Sequence, residues 1–299
     1  MKILVSYRGI PQSPGWATGD LVFNAFKSMG YEVYTYGYYY QNPKNRLPNN
    51  LTIEQAKRET WDLVLYMECN DPDPQYVELK HLNSKKFVYW DFDASYHLDH
   101  TLGFVNYMRF DHIFCANILL KEYFKRYAPT TILPYAFCKD KHCIVTQPDR
   151  TMRFAMVGSN WGERQKIYEA LIKERIPVDL VVNKFREEYI EALASTHVCI
   201  NHNVKSGRGL LVMRIFEALG AKTCLLTNDA DGIQHFLTPD QDCIVYKDIP
   251  HLIEICRGLN APKGMILADQ IAEIGHKTGI DRHTYHHRCQ KILRVLNLE

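Results

Sequence analysis

The stretch HVCINHNVKSGRGLLVMRIFEALGAKTCLLTND, residues 197–229, carries the pattern that decides the fold. It predicts a buried strand at 198–200, a polar loop, a helix at 210–219 and a second strand at 223–227, because apolar runs flank a segment of helical spacing. Gly220 is expected to end the helix, since glycine enters the left-handed region without strain. Strand, loop, helix and strand in this order predict parallel pairing through a right-handed crossover.

The charged residues of this stretch indicate an anion-binding site. Lys205 and Arg208 lie in the glycine-containing loop, and Arg214 and Glu217 lie three apart, on one face of the predicted helix. A loop of this kind at a helix N-terminus offers N–H groups and a positive dipole end to phosphate. A carboxylate one turn further on can accept hydrogen bonds from a ribose diol. The pattern favours a nucleoside diphosphate site; the alternative is a surface Arg–Glu pair worth about a few tenths of a kcal/mol.

The sequence RIFEALG, residues 214–220, resembles the R-x-F-E-A signature of group 1 glycosyltransferases and is most similar to their CgeB-like branch. It departs from that family at Lys222, where a further glycine is usual. The resemblance implies the GT-B fold, an α/β architecture in which two Rossmann-like domains with parallel sheets face a central cleft. It also implies that the C-terminal domain holds most of the nucleotide-sugar.

The predicted elements alternate between strand and helix in two successive sets, which predicts two domains with parallel sheets. The first set lacks the G-x-G-x-x-G fingerprint, so no dinucleotide cofactor is indicated. Residues 138–150 are charged, contain a proline and lack periodicity, which is typical of a linker. We predict domains at 1–147 and 148–280. The resemblance implies that a last helix, within 281–299, crosses back onto the first domain.

Composition narrows the function classes. The chain has 299 residues and a net charge of +2 with both signs well mixed, so nothing draws it generally to nucleic acid or anionic membranes. Nine scattered cysteines without a C-x-x-C pair argue against a zinc or redox motif and favour a reducing compartment. The first apolar run is too short for a signal peptide, and no run approaches the roughly 20 apolar residues of a membrane helix. We expect a soluble, cytoplasmic protein.

Ligands of open α/β sheets bind at the carboxyl ends of strands, which selects the loops that follow each predicted strand. The loop 158–164 is similar to the family loop where backbone and arginine approach the donor diphosphate; the alternative is that Asn160 caps a helix and Arg164 faces water. His202 either contacts the ligand or orders its own loop. The predicted donor-binding residues are Gly158, Ser159, Asn160, Arg164, Lys205, Gly207, Arg208, Arg214 and Glu217.

Sugar transfer with inversion needs a general base near the acceptor hydroxyl. The candidates are Asp20, Asp91, Asp93 and His97, and we expect one of the three aspartates to be catalytic. Each has a structural alternative: Asp20 as a helix cap, Asp91 and Asp93 as turn formers, and His97 in ordering its loop. The Asp-x-Asp pattern at 91–93 also fits a GT-A enzyme that holds Mg²⁺ or Mn²⁺. Since a second complete β/α set favours GT-B, we predict no metal.

Retaining members of the family often carry a Glu-x7-Glu motif. With Glu217 as the second glutamate, the first position is Gly209, so the motif leaves the stereochemical outcome open.

We predict a glycosyltransferase that needs no cofactor and moves a sugar from a nucleotide-diphosphate-sugar, expected to be a UDP-sugar, to an acceptor hydroxyl. The acceptor is a small molecule, a glycan or DNA. Three alternatives stay open: a viral-type DNA glycosyltransferase for hydroxymethylated bases, a nucleotide-sugar-binding protein without activity, and an epimerase on the same fold.

Overall fold

The alternating strands and helices of the chain form two α/β units. The computed structural model describes residues 1–8, 15–37, 49–68, 74–92, 94, 97–144, 148–160, 162–203, 209–229 and 231–299. Unit 1 comprises Met1–Pro134 and Tyr285–Glu299, and unit 2 comprises Tyr135–Thr284.

Unit 1 consists of parallel strands joined by helices and turns. Its strands are β1 (Lys2–Tyr7), β2 (Glu32–Tyr36), β3 (Thr60–Trp61), β4 (Leu63–Glu68), β5 (Asn83–Ser84), β6 (Phe87–Asp91), β7 (His112–Cys115) and β8 (Thr130–Ile132). Its helices are α1 (Thr18–Ser28), α2 (Ile53–Lys57), α3 (Leu98–Met108), α4 (Lys121–Phe124) and the C-terminal α11 (Tyr285–Leu296), with 3₁₀ helices at Pro74–His81 and Ile118–Leu120.

Unit 2 repeats this alternation. Its strands are β9 (Met152–Val157), β10 (Val178–Val181), β11 (Thr196–Asn201), β12 (Cys224–Asn228) and β13 (Ile244–Tyr246). Its helices are α5 (Lys139–His142), α6 (Glu163–Lys173), α7 (Arg186–Ala194), α8 (Met213–Gly220), α9 (Ile249–Asn260) and α10 (Pro262–Arg282), with a 3₁₀ helix at Ile233–His235.

Both main sheets are parallel and reverse their strand order at one place. The sheet of unit 1 has the order β2-β1-β4-β6-β7-β8, and that of unit 2 has the order β10-β9-β11-β12-β13. The reversal therefore lies between β1 and β4 in unit 1, and between β9 and β11 in unit 2. Ligands of open α/β sheets bind at such a point, outside the carboxyl ends of the strands. The predicted α/β class with two parallel sheets is confirmed.

The apolar runs of the sequence become strands that are buried on both faces. In β11, Val198, Cys199 and Ile200 are successive and each is fully buried. Successive side chains of a strand point to opposite faces, so a run of this kind requires helices on both sides of the sheet. This double burial is why these strands read as continuous apolar segments and not as alternating ones.

The two units divide at Pro134, which differs from the predicted boundary at 147. The segment interpreted as a linker contains α5 and packs on α8, where the side chains of Phe137 and His142 surround Gly220. These apolar contacts assign the segment to unit 2. Helix α11 belongs to unit 1, where it packs on α1 and places the Cys289 thiol 3.9 Å from the carbonyl oxygen of Val22.

The central helix α8 differs from its prediction at both ends. It begins at Met213 and not at 210, because Leu210 is buried in a non-helical segment and Val212 is an extended N-cap residue. The residue with left-handed backbone after the helix is Lys222, with φ of 59°, so the expectation that Gly220 serves as this cap was wrong. Gly220 instead allows close packing, since a Cβ there would lie 2.8 Å from the Phe137 ring.

The sequence pattern does not predict helix α3 or the full length of helix α10. Helix α3 has a half-polar sequence, and its N-cap residue His97 makes no side-chain capping bond. The apolar spacing predicts that the helix after 263 stops at Gly275, whereas α10 continues to Arg282. Gly275 is a contact residue and not a stop: a Cβ there would lie 2.4 Å from the carbonyl oxygen of Asp242.

Alanine substitution at two helical glycines distinguishes a packing role from the effect of glycine on backbone entropy. Gly220→Ala should destabilise the protein by about 1–3 kcal/mol, because the added methyl overpacks the contact with Phe137. Gly258→Ala is the matched control: Gly258 lies exposed in α9 with open space around its Cα, so alanine should stabilise by about 0.5–1 kcal/mol. Urea unfolding of both variants measures the difference. Equal effects of the two substitutions would contradict the packing role of Gly220.

Candidate functional site

The carboxyl ends of β9 and β11 hold an arginine packed against a glycine. Gly158 follows β9, donates its N–H to the Val181 carbonyl at 2.8 Å and has φ of 103°, a conformation that L side chains rarely adopt. A Cβ at Gly158 would lie 2.5 Å from Nη2 of Arg214, which projects from α8. Glycine is therefore required here both for the backbone conformation and for the approach of the guanidinium.

A second arginine lies beside the first. Arg164, in the first turn of α6, is only 4% exposed and donates from Nη2 to the carbonyl oxygen of Val157 at 3.2 Å. Burial, reinforced by the positive charge of Arg214, lowers the pKa of Arg164 to about 10, so the group still carries its charge at neutral pH. Among the described residues, no carboxylate forms an ion pair with either guanidinium. Two neighbouring cations of this kind favour a ligand with more than one negative charge.

Unsatisfied polar atoms collect at this place. Nε of Arg164, Nε of Arg214 and Oδ1 of Asn160 are buried without a hydrogen-bond partner within the described part of the chain, and so is Oδ1 of Asn203. Buried polar groups in proteins are normally paired, so a cluster of exceptions points to atoms that a ligand would satisfy. The alternative in which Arg164 faces water does not hold, because the side chain is buried.

Asn201, the last residue of β11, orients Arg214. Its Oδ1 accepts from Nη1 of Arg214 at 3.0 Å, and its amide group donates to the hydroxyl of Thr227 in β12 at 3.0 Å. In the sequence, Asn201 is only the first residue of the polar loop that follows the predicted strand. The signal that would have found its role is an amide at the carboxyl end of the strand beside the reversal point.

The residues after Asn201 are held by two further networks. Asn203 and Asn228 form two hydrogen bonds with each other. The backbone N–H of Asn203 donates to Oδ1 of Asn228 at 2.7 Å, and the side-chain amide of Asn228 donates to the backbone carbonyl of Asn203 at 2.9 Å. His202 bridges the Tyr246 hydroxyl at 2.8 Å and a Glu163 carboxylate oxygen at 3.2 Å. These bonds give His202 a role in ordering the ends of β11 and β13.

Glu217 is buried and coupled to two side chains. Its Oε2 accepts from the Tyr189 hydroxyl at 2.8 Å, and Nε2 of His142 lies 3.5 Å from its Oε1. Burial raises the pKa of Glu217 to about 7, against the opposing effects of Tyr189 and Arg214. Burial lowers the pKa of His142 to about 4, and its Nδ1 accepts from the Cys138 N–H at 2.7 Å, so the neutral ring presents Nε2–H to Glu217.

The structure thus brings part of the predicted donor set together. Gly158, Arg164, Arg214 and Glu217 surround the ends of β9 and β11, with Ser159 exposed at the rim and the Asn160 amide donating to Gln165. Four predicted residues lie outside the described part of the chain: Asp93, Lys205, Gly207 and Arg208.

The carboxylates of unit 1 are engaged in local structure. Asp20, in the first turn of α1, is 2% exposed and accepts from the Tyr7 hydroxyl and from the backbone N–H groups of Gly15 and Ala17, at 2.9 Å and 3.1 Å. Asp91 is 1% exposed and accepts from the Tyr89 hydroxyl at 3.2 Å and from the Ala94 N–H at 3.1 Å. Both carboxylates therefore take part in local hydrogen bonding, which is the structural alternative to a catalytic role.

The part of the chain that the structure describes shows neither a cluster of metal ligands nor a membrane helix. Among these residues, no group of three or more His, Cys, Asp or Glu side chains has an arrangement that could hold a metal ion. None of the helices in the same ranges combines the length and apolar character that a membrane span requires.

The chain resembles known glycosyltransferases in sequence and in structure. A sequence profile described as glycosyl transferase-like matches residues 141–294, just over half of the chain. No curated protein sequence matches.

Solved structures match over nearly the full length at low identity. The structure of HepE from Anabaena with UDP-glucose aligns with a TM-score of 0.71 at 11% identity and covers 99% of each chain. An α-glucosyltransferase with UDP and a 13-mer DNA containing a HMU base gives 0.69 at 13% identity, again with 99% of each chain. T4 phage BGT with UDP-glucose gives 0.68 at 10% identity and covers all of both chains, and the same phage protein was also solved with UDP and Mn²⁺. At such identities the likeness establishes the fold.

The buried carboxyl of Glu217 predicts a pH dependence of stability. The pKa of Glu217 is raised, so its contribution is fully present at low pH and is lost as pH rises through about 7. Relative to Glu217→Gln, the wild-type free energy of unfolding should fall between pH 4.5 and 8 by about 3 kcal/mol, since a tenfold change in proton affinity corresponds to about 1.4 kcal/mol. Denaturant unfolding across this range measures it, with Glu254→Gln, an exposed site on α9, as control. A constant difference between wild type and Glu217→Gln at all pH values would rule out the raised pKa.

Proposed function

The chain belongs to the glycosyl transferase-like family, and on that premise we propose that it transfers a sugar from a nucleoside diphosphate sugar, with UDP as the nucleotide, to an acceptor hydroxyl. The donor site lies in unit 2, at the carboxyl ends of β9 and β11. The single observation that carries the proposal is the pair of neighbouring guanidinium groups of Arg164, which is buried, and Arg214, which is partly exposed, each with a buried and unsatisfied Nε.

The charge and geometry of this pair fit a diphosphate. Arginine presents several N–H donors in a planar fork that matches phosphate oxygens, and a guanidinium pair without carboxylate partners is relieved by a ligand with two negative groups. Gly158 keeps side-chain atoms away from the space beside Arg214, which lets a ligand approach the backbone there.

The same pair supports the chemistry of transfer. As the bond from the anomeric carbon to the diphosphate breaks, negative charge grows on the leaving oxygen. Cations held in place before the reaction stabilise that charge without reorganisation, whichever stereochemistry the transfer follows. Asn201 contributes indirectly, because it holds Nη1 of Arg214 at 3.0 Å.

Glu217 is the proposed partner of the ribose hydroxyls. A carboxyl group has about four acceptor positions, and Tyr189 occupies one of them on Oε2. The contact of Oε1 with His142 is long, at 3.5 Å, which leaves acceptor capacity on that oxygen. We propose that Tyr189 and His142 are the neighbours that hold this carboxyl in place.

UDP is proposed as the nucleotide because the similar structures of HepE and of the T4 phage protein hold UDP-glucose. For the acceptor we propose a hydroxyl group of a small molecule or glycan, since the net charge of +2 gives little attraction to a polyanion. The α-glucosyltransferase with bound DNA makes DNA the second candidate. A gel-shift assay at two salt concentrations separates these, because phosphate contacts make DNA binding steeply salt-dependent.

Donor binding is tested by thermal unfolding with UDP, ADP, GDP and CDP. We expect one diphosphate, UDP, to stabilise the wild type by about 2.7 kcal/mol at about 100 times its dissociation constant. Arg164→Ala and Arg214→Ala should abolish this stabilisation, whereas Arg257→Ala, which removes an exposed arginine paired with Glu174 on the surface of unit 2, should retain it. Stabilisation of Arg214→Ala equal to that of the wild type would refute the proposed site.

The catalytic base is tested by variants that keep the donor site. We propose that one of Asp20, Asp91 and Asp93 serves this role, with unit 1 as the acceptor side. Replacement of the base by asparagine should lower transfer by about 10²–10⁴-fold, while stabilisation by UDP persists. Because Asp20 and Asp91 are buried in local hydrogen bonds, unfolding measurements must accompany the assay to exclude a loss of structure.

Product analysis of the same reactions addresses the remaining alternatives. Consumption of the donor only when an acceptor is present supports a transferase. Isomerisation of the donor alone indicates an epimerase, and binding without turnover indicates a nucleotide-sugar-binding protein.

A further inference from the structure

A cavity lies at the amino edge of the sheet of unit 1. Its volume is about 690 Å³, and it is lined by the end of the 3₁₀ helix Pro74–His81, by β5, by the first residue of β6 and by the end of α3. Phe87 begins β6 at the cavity, whereas Asp91 ends the same strand about 13 Å away, at about 3.3 Å per residue. Small-molecule sites have volumes of this size. The cavity is therefore separate from the strand ends where the acceptor is expected.

Two cationic side chains line this cavity without a carboxylate partner. Lys80 lies in the last turn of the 3₁₀ helix, and Arg109 is the C-cap residue of α3. Neither forms an ion pair within the described part of the chain. Asp111 is the only carboxylate in the described lining, and its Oδ2 accepts from the backbone N–H of Phe87 at 2.7 Å. Cations at helix ends offset the helix dipole, but this does not account for two of them around one cavity. The excess of positive charge favours an anionic ligand.

The rest of the lining suits hydroxyl groups and a sugar ring. The side chains of Ser84 and Asn106 form no hydrogen bond with other described residues, and Oδ1 of Asp111 is likewise without a partner there. Tyr107 is 54% exposed, and Nζ of Lys80 lies 3.5 Å from the centroid of its ring, which holds the ammonium group beside the ring. The exposed part of the ring offers a flat surface to the C–H groups of a sugar. Polar groups and one aromatic ring thus accompany the two cations.

We propose that this cavity binds a small sugar that carries one anionic group, either a phosphate or a carboxylate. Lys80 and Arg109 hold the anionic group, since hydrogen bonds between charged partners are stronger than neutral ones. Ser84 and Asn106 bind hydroxyl groups, and the ring of Tyr107 packs against the sugar. This site does not depend on the proposed donor site, because every residue of the described lining belongs to unit 1.

Titration calorimetry on the full chain tests the proposal with four probes. Glucose 6-phosphate and glucuronate represent the two anionic groups, and glucose and inorganic phosphate each represent one part of the ligand. We expect one of the acidic sugars to bind about tenfold or more tightly than glucose and than phosphate, because both of its parts contact the cavity. The tighter of the two acidic sugars identifies the anionic group.

The backbone of Arg109 allows a variant that removes the guanidinium without harming the fold. Arg109 has φ of 56°, a conformation that glycine adopts without strain. Arg109→Gly should weaken binding of the acidic sugar by about tenfold or more, while its melting temperature equals or exceeds that of the wild type. Arg175→Gly is the matched control, since Arg175 is an exposed arginine with φ of 58° just after α6 in unit 2. Arg175→Gly and Arg214→Ala should bind the acidic sugar as the wild type does.

Several results would overturn the proposal. One is that neither acidic sugar binds the wild type, and another is that inorganic phosphate binds as tightly as they do, because the sugar would then play no part. Unchanged binding by Arg109→Gly, or an equal loss in Arg175→Gly, would show that the ligand does not lie at this cavity. A loss in Arg214→Ala would assign the ligand to the arginine pair of unit 2. None of these results bears on UDP binding, so the proposed function is tested separately.

Discussion

The close approach of the Arg214 guanidinium to the backbone at Gly158 is the contact on which the candidate site depends. It joins the helix after β11 to the loop after β9, across the point where the strand order of the sheet reverses. Only glycine permits it, because of both the φ of 103° and the 2.5 Å separation from a Cβ. Asn201 fixes the other side of the guanidinium through a 3.0 Å bond. A cation is thereby held where an open α/β sheet binds its ligand.

The electrostatics of unit 2 follow from placing several ionisable groups out of contact with water. Arg164 keeps its charge although it is buried beside Arg214, and the buried carboxyl of Glu217, three residues after Arg214, has its pKa raised to about 7 by burial. At neutral pH the carboxyl therefore offsets only part of the positive charge. The proposed diphosphate would supply the negative charge that this pair of arginines lacks.

The two units both contain a parallel sheet with one reversal of strand order, but the polar side chains near the carboxyl ends of their strands differ in hydrogen bonding. In unit 2, the side chains after β9 and β11 include buried groups without partners, which leaves them available to a ligand. In unit 1, Asp20 lies in the first turn of α1 and Asp91 ends β6, and hydroxyl and N–H donors already engage both carboxylates. Membership of the glycosyl transferase-like family rests mainly on unit 2, where the matched residues largely lie. The contrast supports the proposal that the donor binds in unit 2.

The sequence by itself determined the α/β class, the two parallel sheets and the importance of 197–229, because double burial leaves continuous apolar runs and because RIFEALG is a local signature. It also located Gly158, Arg164, Arg214 and Glu217 on the loops and helices that now surround one place. Only the tertiary structure decided that Gly220 and Gly275 serve packing, that Lys222 takes the left-handed position, and that residues 138–144 belong to unit 2. It alone revealed Asn201, Tyr189 and His142 as partners of the site. The physical reason is that spacing along the chain encodes burial and periodicity, whereas close approach, desolvation and pairing depend on residues brought together from distant segments.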